Sequence, residues 1–273
     1  MSAPASKQND DFPYWLVGIG LIGLGAIYAI VTNGLYSQIL TTVSKGLYIT
    51  IFVTLVGFTL ASAVGLMIAV MALSNSLVLR QVSRFYVEVI RGIPMLVLLF
   101  YVAFVGAPSV VALWNFLTGP LIEAGVVGKM TVRDFPLVWR AAIALMIGYS
   151  AFISEIFRAG IQAVDEGQIE AAKALGLGRW HRFRHIIFPQ ALRIIMPPLG
   201  NDFIAMVKDS SLVSVLGVAD LTQMGKVYAA GSFRFFETYS IVALVYLFLT
   251  VALSLALRAL ERRLQGEGFD QGN

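Results

Sequence analysis

Polar side chains lie inside stretches that are otherwise apolar in the second half of the chain. They are Tyr149, Glu155, Asn201, Asp202 and Lys208. An ionisable group within a lipid bilayer costs at least ~2.5–3.5 kcal/mol on insertion scales, so each should face a cavity or a partner. Carboxylates, amides and hydroxyls that converge on one cavity can bind a small polar solute. We predict that these residues line a path for such a solute.

Glu155 has two interpretations. It lies about one helical turn after Phe152 and six residues after Tyr149, where its carboxylate can hold an ammonium group. Arg158 follows three residues later, and an ion pair at that spacing on a helix is structural. Both interpretations stay open, and we favour the binding role.

Asn201 and Asp202 follow a proline-rich run, Pro197-Pro198-Leu199-Gly200. Prolines remove helical hydrogen bonds, and broken helices at membrane depth line cavities in transporters. We therefore predict Asn201 as a solute contact and Asp202 as a structural or gating charge; the alternative is a kink that only shapes packing. Lys208 either forms a gate pair with the adjacent Asp209 or reaches lipid headgroups, and we favour the headgroup contact.

The composition places these residues in a membrane protein. Of 273 residues, 58% are hydrophobic and 13% are charged, compared with about 25% charged in a soluble domain. So few charges cannot cover the surface of a soluble fold of this length, which excludes a water-soluble protein. The chain has no cysteine, which excludes a disulfide framework, a thiolate metal site and a cysteine nucleophile.

Long uncharged stretches predict an all-α integral membrane protein with six transmembrane helices. The first stretch, 14–33, is long enough to cross a ~30 Å hydrocarbon core and is longer than the apolar part of a signal peptide. Its glycines form G-x-G-x-x-G, but no strand precedes them, so they indicate close helix packing rather than nucleotide binding. The predicted spans are 14–33, 48–73, 85–106, 137–159, 189–207 and 238–257, with loops at 107–137 and 160–189.

The basic residues predict the orientation of the chain. Six spans bring both termini to one side, and the side richer in Lys and Arg is cytoplasmic. Of the 20 Lys and Arg residues, 13 lie on the side of the termini and the 160–189 stretch, so both termini are predicted to be cytoplasmic. These 13 are Lys7, Arg80, Arg84, Arg91, Arg158, Lys173, Arg179, Arg182, Arg184, Arg193, Arg258, Arg262 and Arg263. The net charge of +4 therefore reflects topology, and we expect no nucleic-acid partner.

A short helix is predicted within the 160–189 stretch. Asp165 can cap it, alanines favour it, and Gly176 and Gly178 end it. Its small residues allow another protein to approach closely, while its charges can orient that protein; an ordinary surface helix is the alternative. The residues assigned to partner binding are Glu170, Ala171, Ala172, Lys173, Gly176 and Arg179.

Neither metal binding nor catalysis is expected. His181 and His185 are four residues apart, but the arginines beside them oppose a metal cation. No nucleophile, base and orienting group converge in the sequence, so a transporter is favoured over a membrane-embedded enzyme or scaffold.

A spaced motif in the 160–189 stretch carries a family resemblance. Glu170-Ala171-Ala172 is followed after three residues by Gly176 and after nine more by Ile186-Ile187-Phe188-Pro189. This spacing resembles the EAA loop of ATP-binding-cassette (ABC) importer permeases, with Phe188 where leucine is commoner. Segments 85–100, 148–161 and 188–212 are similar to the polar amino-acid branch of that family, and the resemblance covers about residues 45–260.

The resemblance implies a five-helix type I ABC importer permease core at 44–260, after an extra N-terminal helix within 1–43 and before a tail at 261–273. It implies a multi-pass protein of the bacterial inner membrane that carries substrate by alternating access, with Glu155 in the path. The implied partners are an identical or related second permease subunit, a cytoplasmic ABC ATPase dimer docked on the EAA loop, an extracytoplasmic amino-acid-binding protein, and membrane lipid.

The energy source distinguishes the main alternative. The chain has no G-x-x-x-x-G-K-[ST] phosphate loop, so we expect no cofactor in it and expect ATP and Mg to be bound by the partner ATPase. A self-sufficient secondary amino-acid transporter or channel is the alternative, because charges within the membrane would also suit one. The mixed charges favour acidic or amide amino acids as substrates over basic ones.

Overall fold

The computed structural model describes residues 14–266, and in that part of the chain all regular secondary structure is helical. The predicted all-α class is confirmed. Residues 1–13 and 267–273, which include Lys7 and most of the predicted tail, lie outside the described residues. The helices are α1 (Tyr14–Thr32), α2 (Gly34–Ser44), α3 (Leu47–Ala72), α4 (Leu77–Gly92), α5 (Met95–Tyr101), α6 (Ala107–Leu117), α7 (Gly119–Glu123), α8 (Leu137–Gln162), α9 (Glu166–Ala174), α10 (Arg179–Arg182), α11 (Phe188–Asp209), α12 (Leu221–Ser232) and α13 (Phe235–Gly266).

Five helical segments of the described part are long and apolar enough to cross a bilayer. They are Tyr14–Thr32, Gly34–Ala72, Met95–Leu117, Leu137–Gln162 and Phe235–Arg262. The remaining predicted span is α11, whose 22 residues extend about 33 Å at 1.5 Å per residue. α11 is more polar than the other five because it contains Arg193, Asp202 and Lys208.

The third predicted span, 85–106, is wrong at both ends. α4 ends at Gly92, and Ile93 and Pro94 are extended before the apolar span begins at Met95. Ile93 has φ −98° and ψ 127° because a residue before proline is disfavoured in the helical region. The charges of α4 therefore lie on a separate amphipathic helix, and the span continues to Leu117.

Two π turns carry helices onward to a proline, so both predicted loops are wrong in part. Val102–Gly106 joins α5 to α6 before Pro108, and Phe183–Ile187 joins α10 to α11 before Pro189. A proline lacks an N–H and clashes with the carbonyl four residues earlier, and the wider π turn moves that carbonyl aside. Segments 107–117 and 179–188 are consequently helical.

The prolines at 197 and 198 do not break α11, contrary to prediction. They remove the amide donors that would bond the carbonyls of Arg193 and Ile194. The helix nevertheless continues to Asp209 because it packs against α8 and α13.

The core forms where α3 and α8 pack along each other. α3 presents Gly57, Ala61 and Gly65 at four-residue spacing, and such small residues let membrane helices approach closely. A Cβ on Gly65 would lie 3.0 Å from the carbonyl oxygen of Ser150, so a larger residue there would force the two helices apart. This contact fixes the rotation of α8, which carries the polar residues of interest.

The N-terminal helices attach to the other side of the core. Ile39 and Val43 of α2 are fully buried in a cluster with Leu221 and Val242. α1 is largely exposed, but the guanidinium carbon of Arg258 lies 5.1 Å from the centre of the Trp15 ring. The first turn of α1 and the last part of α13 therefore lie at the same end of the molecule.

Candidate functional site

Two cavities of about 410 and 400 Å³ lie next to each other along α8. The Tyr149 cavity is lined by Tyr149, Phe152, Asp202, Asp209 and Arg91, together with Met95 and neighbouring apolar residues. The Glu155 cavity is lined by Glu155, Arg158, Gln162, Arg84, Glu88 and Arg91, together with Ser154 and others. α8 thus contributes lining residues to both cavities.

Carboxylates of α11 define the Tyr149 cavity. The hydroxyl of Tyr149 donates a hydrogen bond of 2.8 Å to Oδ2 of Asp209. Oδ2 of Asp202 is buried and has no hydrogen-bond partner. Because a buried acceptor without a donor is costly, this oxygen is suited to receive a donor from a bound solute.

The Glu155 cavity contains a two-point ion pair. Nη2 of Arg158 lies 2.6 Å from Oε2 of Glu155, and Nε donates to Oε1 at 3.2 Å. Arg158 also donates to Oε1 of Gln162 at 2.6 Å. Each side chain of the pair remains partly exposed, at 34% and 35%. The structure therefore contains the Glu155–Arg158 pair that the sequence left open, and that pair lines a cavity.

Arg91 and Phe152 lie between the two cavities. Arg91 lines both of them, and its guanidinium carbon is 5.5 Å from the centre of the Phe152 ring. This is a cation–π contact. Arg91 is the second residue before the extended Ile93-Pro94 segment, so it lies at a joint between two helices. We call the Arg91–Phe152 contact the partition.

Asn201 and Lys208 are not brought to either cavity. Both are exposed on α11, and their seven-residue spacing puts them on one helical face. That face is turned away from Asp202 and Asp209, which share their own seven-residue spacing. The described residues show no Lys208–Asp209 ion pair, because Asp209 instead accepts from Tyr149.

The sequence did not mark Arg91 or Phe152 as path residues, and it offered Asp209 only as a possible gate partner of Lys208. The spacing of Asp202 and Asp209 was a signal for Asp209, since seven residues return to the same face of a helix. No comparable signal marked Arg91, because its approach to Phe152 depends on how α4 crosses α8.

The residues assigned to partner binding lie on or just after α9. Asp165 caps this helix as predicted, accepting from the amide of Gln168 at 3.2 Å. Gly176 ends it with φ +75°, and the amides of Gly176 and Leu177 bond the carbonyls of Lys173 and Ala172, which is a Schellman motif. Glu170, Ala171, Lys173 and Arg179 are exposed, while Ala172 is buried.

The residue that caps the C-terminus of α9 is apolar and exposed, and the sequence did not mark it as part of the docking surface. Leu175 is 80% exposed, beside Ala171 on the same face of the helix. An apolar centre flanked by charges is typical of a protein-docking surface.

The buried side of α9 ties it to α8 and α11. Ile169 packs into a cluster that contains Val164, Ala191 and Ile195. Oε1 of Gln168 accepts a hydrogen bond of 2.6 Å from the side chain of Gln190. α9 therefore packs on α8 and α11, two of the helices that line the Tyr149 cavity.

The two histidines lie on a helical surface. Their rings stack with centres 5.9 Å apart, and the described part of the chain contains no group of three or more potential metal ligands.

Comparisons with known proteins identify the family. Residues 61–266 match the family described as the binding-protein-dependent transport system inner membrane component. The chain is 35% identical over 221 residues to the probable amino-acid permease protein YxeN of Bacillus subtilis (strain 168), covering 81% of this chain and 90% of that protein. It is equally similar to the glutamine transport system permease protein GlnP of Escherichia coli (strain K12), with 92% of that protein covered.

Solved structures agree with this result. A chain of a crystallised amino acid ABC transporter with histidines is 37% identical, has a TM-score of 0.69, and is matched over 86% of this chain and 98% of its own length. A chain of the inward-facing MetNI methionine ABC transporter, 20% identical with a TM-score of 0.60, shares the fold. The described helices, the family match and these relatives together show that this chain belongs to the binding-protein-dependent transport family, as a membrane-embedded permease subunit of an ABC importer and not an enzyme.

Proposed function

We propose that this permease subunit carries a polar amino acid by alternating access, along a path that leads from the Tyr149 cavity to the Glu155 cavity. The observation that supports this most directly is the pair of adjoining cavities separated by the Arg91–Phe152 partition. A substrate held in the Tyr149 cavity reaches the Glu155 cavity once the partition opens.

The Tyr149 cavity has the groups that a zwitterion requires. The free oxygen of Asp202 accepts from the α-ammonium group, and Arg91 donates to the α-carboxylate. Because Asp202 and Asp209 both line the cavity, an acidic side chain would be repelled. Of the acidic and amide amino acids favoured from the sequence, the amide class is therefore the better candidate, and the glutamine permeases among the relatives agree with that choice.

Other path residues take different roles. The Glu155–Arg158 pair lines the exit through the Glu155 cavity, where Arg158 already balances the charge of Glu155. Asn201 and Lys208 lie on an exposed face of α11, which faces the path only if a second permease subunit, identical or related, closes against it.

Energy comes from a separate chain. A cytoplasmic ABC ATPase dimer docks on the exposed side of α9, with Leu175 and Ala171 at the centre and Glu170, Lys173 and Arg179 as orienting charges. The ATPase binds ATP and Mg. Its ATP-driven closure displaces α9, and α8 and α11 move with α9 because their side chains pack against it. An extracytoplasmic amino-acid-binding protein delivers substrate at the opposite side of the bacterial inner membrane, and both termini are cytoplasmic.

Reconstituted uptake tests this proposal. The chain is placed in proteoliposomes with its ATPase and binding protein, and uptake of labelled glutamine, glutamate and arginine is measured with and without ATP. We expect glutamine uptake that requires both ATP and the ATPase. Concentrative uptake by the permease alone would instead establish a self-sufficient secondary transporter.

A further inference from the structure

An aromatic wall lies beside the start of α11. Trp180, Phe183 and Phe188 have ring centres 6.1 Å and 6.0 Å apart in succession. Together with Arg184 they line a cavity of about 410 Å³. All three rings are exposed, Trp180 at 65%, so the cavity is open at the surface. We call this the Trp180 groove.

The groove lies in a segment of one charge sign. From Ala171 to Asn201 the sequence has no Asp or Glu, whereas it has five Lys and Arg residues and two histidines. They are Lys173, Arg179, His181, Arg182, Arg184, His185 and Arg193. The described structure pairs none of these arginines with an acidic side chain. The groove therefore attracts an anion.

The position of the groove relative to the membrane follows from helix continuity. α10, the π turn at Phe183–Ile187 and α11 follow one another without interruption, so Trp180 lies about 12 Å along the axis before Phe188. α11 is the fifth predicted span, and its 22 residues are long enough to cross a bilayer; with α11 as a span, the groove lies where that helix meets the membrane surface. Exposed Leu192, four residues after Phe188 on the same helical face, continues the apolar surface into the span. Aromatic rings and arginines at this depth are typical of the interface with lipid headgroups.

We propose that the Trp180 groove binds the headgroup of an anionic phospholipid. Arg184 donates to the phosphate, and the rings of Trp180, Phe183 and Phe188 pack against the glycerol and the first acyl carbons. The transport path does not use these residues, and neither does the proposed ATPase surface, which carries charges of both signs: Glu170, Lys173 and Arg179. The charges around the groove are all basic and continue onto α11. Such a surface fits the headgroup of an anionic lipid better than the surface of a protein.

Lipid counting by native mass spectrometry tests the proposal without substrate or ATP. The purified complex is delipidated and titrated with phosphatidylglycerol or phosphatidylcholine, and bound lipids per complex are counted. We expect preferential binding of phosphatidylglycerol, about fivefold weaker in Arg184→Gln, and largely retained in Arg184→Lys. Trp180→Ala should weaken both lipids, since it removes apolar contact.

Arg80→Gln is the matched control. It removes a basic residue from the same membrane side, but Arg80 bonds the carbonyls of Ser74 and Asn75 and has no part in the aromatic wall. We expect it to bind phosphatidylglycerol like the parent protein.

Three outcomes would overturn the lipid site. One is equal binding of the two lipids, and another is an equal loss in Arg184→Gln and Arg80→Gln, which would indicate general surface charge. The third is unchanged lipid binding with loss of the ATPase or of a second permease subunit from Arg184→Gln, which would make the groove a protein interface. Because lipid counts need no transport, failure here would leave the proposed function intact, and the reverse also holds.

Discussion

The Tyr149 and Glu155 cavities both lie along α8 and each contains a carboxylate, Asp202 of α11 in the first and Glu155 of α8 in the second, yet the two carboxylates differ in their partners. In the Tyr149 cavity a carboxylate oxygen of Asp202 is buried without a donor. In the Glu155 cavity both carboxylate oxygens of Glu155 are engaged by Arg158. An acid without a partner can bind a solute, whereas an acid that is already paired resists change. Residue type alone therefore does not distinguish a carboxylate that is free to bind a solute from one that is held in an ion pair.

The strongest test of this contrast is Asp202→Asn. We expect kcat/KM for uptake to fall by about 10- to 100-fold, because a hydrogen bond to a charged group contributes about 1.5–3 kcal/mol. The variant keeps the volume of the side chain, so co-purification with the ATPase should be unchanged. If kcat/KM for uptake by this variant equals that of the wild type, Asp202 is not part of the substrate site.

The partition between the cavities is tested by Phe152→Ala. The chain has no cysteine, so Ala205→Cys reports on the Tyr149 cavity and Ala72→Cys on the Glu155 cavity. A membrane-impermeant thiol reagent is added at the side of the Glu155 cavity. We expect Phe152→Ala to speed labelling at position 205 about tenfold, because it removes a cation–π contact that contributes about 0.5–2 kcal/mol.

Labelling at position 72 is the control for that experiment and should not change with Phe152→Ala. Equal labelling at position 205 with and without Phe152 would show that the two cavities are already continuous.

The proposed docking of the ATPase on α9 is tested by Gly176→Ala. Gly176 has φ +75°, and a left-handed conformation costs a residue with a Cβ roughly 1–2 kcal/mol. We expect association with the ATPase to weaken by a similar free energy, about tenfold, measured by co-purification and by substrate-stimulated ATP hydrolysis.

Gly178→Ala is its matched partner. Gly178 has φ −64°, and no atom lies within 4 Å of the position that an alanine Cβ would occupy there, so it accepts alanine without strain. If both variants lose association with the ATPase equally, docking depends on the flexibility of the loop rather than on the left-handed turn at Gly176.

The smallest effect is expected from Glu155→Gln. A partly exposed ion pair contributes about 0.2–1 kcal/mol, so we expect uptake to fall by no more than about fivefold while assembly is retained. A double-mutant cycle with Arg158→Gln should show that the two changes are not additive. A loss as large as that of Asp202→Asn would make Glu155 a substrate ligand and erase the contrast between the cavities.

Much of the fold could be predicted because it depends on local sequence. Apolar runs predicted the bounds of α1, α3, α8 and α11 and the start of α13 to within a few residues, and Asp165 and Gly176 marked both ends of α9. The errors occurred at prolines. Pro108 and Pro189 suggested loops, but π turns precede them, and whether a chain ends a helix or widens a turn depends on what packs around it.

The candidate site was predicted less completely. Tyr149 and Asp202 were predicted as path residues, and in the structure both line the Tyr149 cavity; their role in transport stays a prediction. Asn201, the neighbour of Asp202, was expected in the same place, yet it lies about 100° around the helix and is exposed. Spacing along one helix predicts which residues share a face, but it does not say which face is turned inward.

The sequence alone establishes that the chain is helical and embedded in a membrane, and which segment carries the EAA motif, because run length, turn residues and motif spacing are local properties. Helix packing establishes that Asp209 accepts from Tyr149, that Glu155 is neutralised, and that Arg91 lies against Phe152. The spacing of Glu155 and Arg158 offered their pair as one of two interpretations, but the Tyr149–Asp209 and Arg91–Phe152 contacts could not be read from the sequence because they depend on how each helix is rotated and crossed. That rotation is set where Gly65 of α3 meets α8, far along the chain from the residues whose partners it selects.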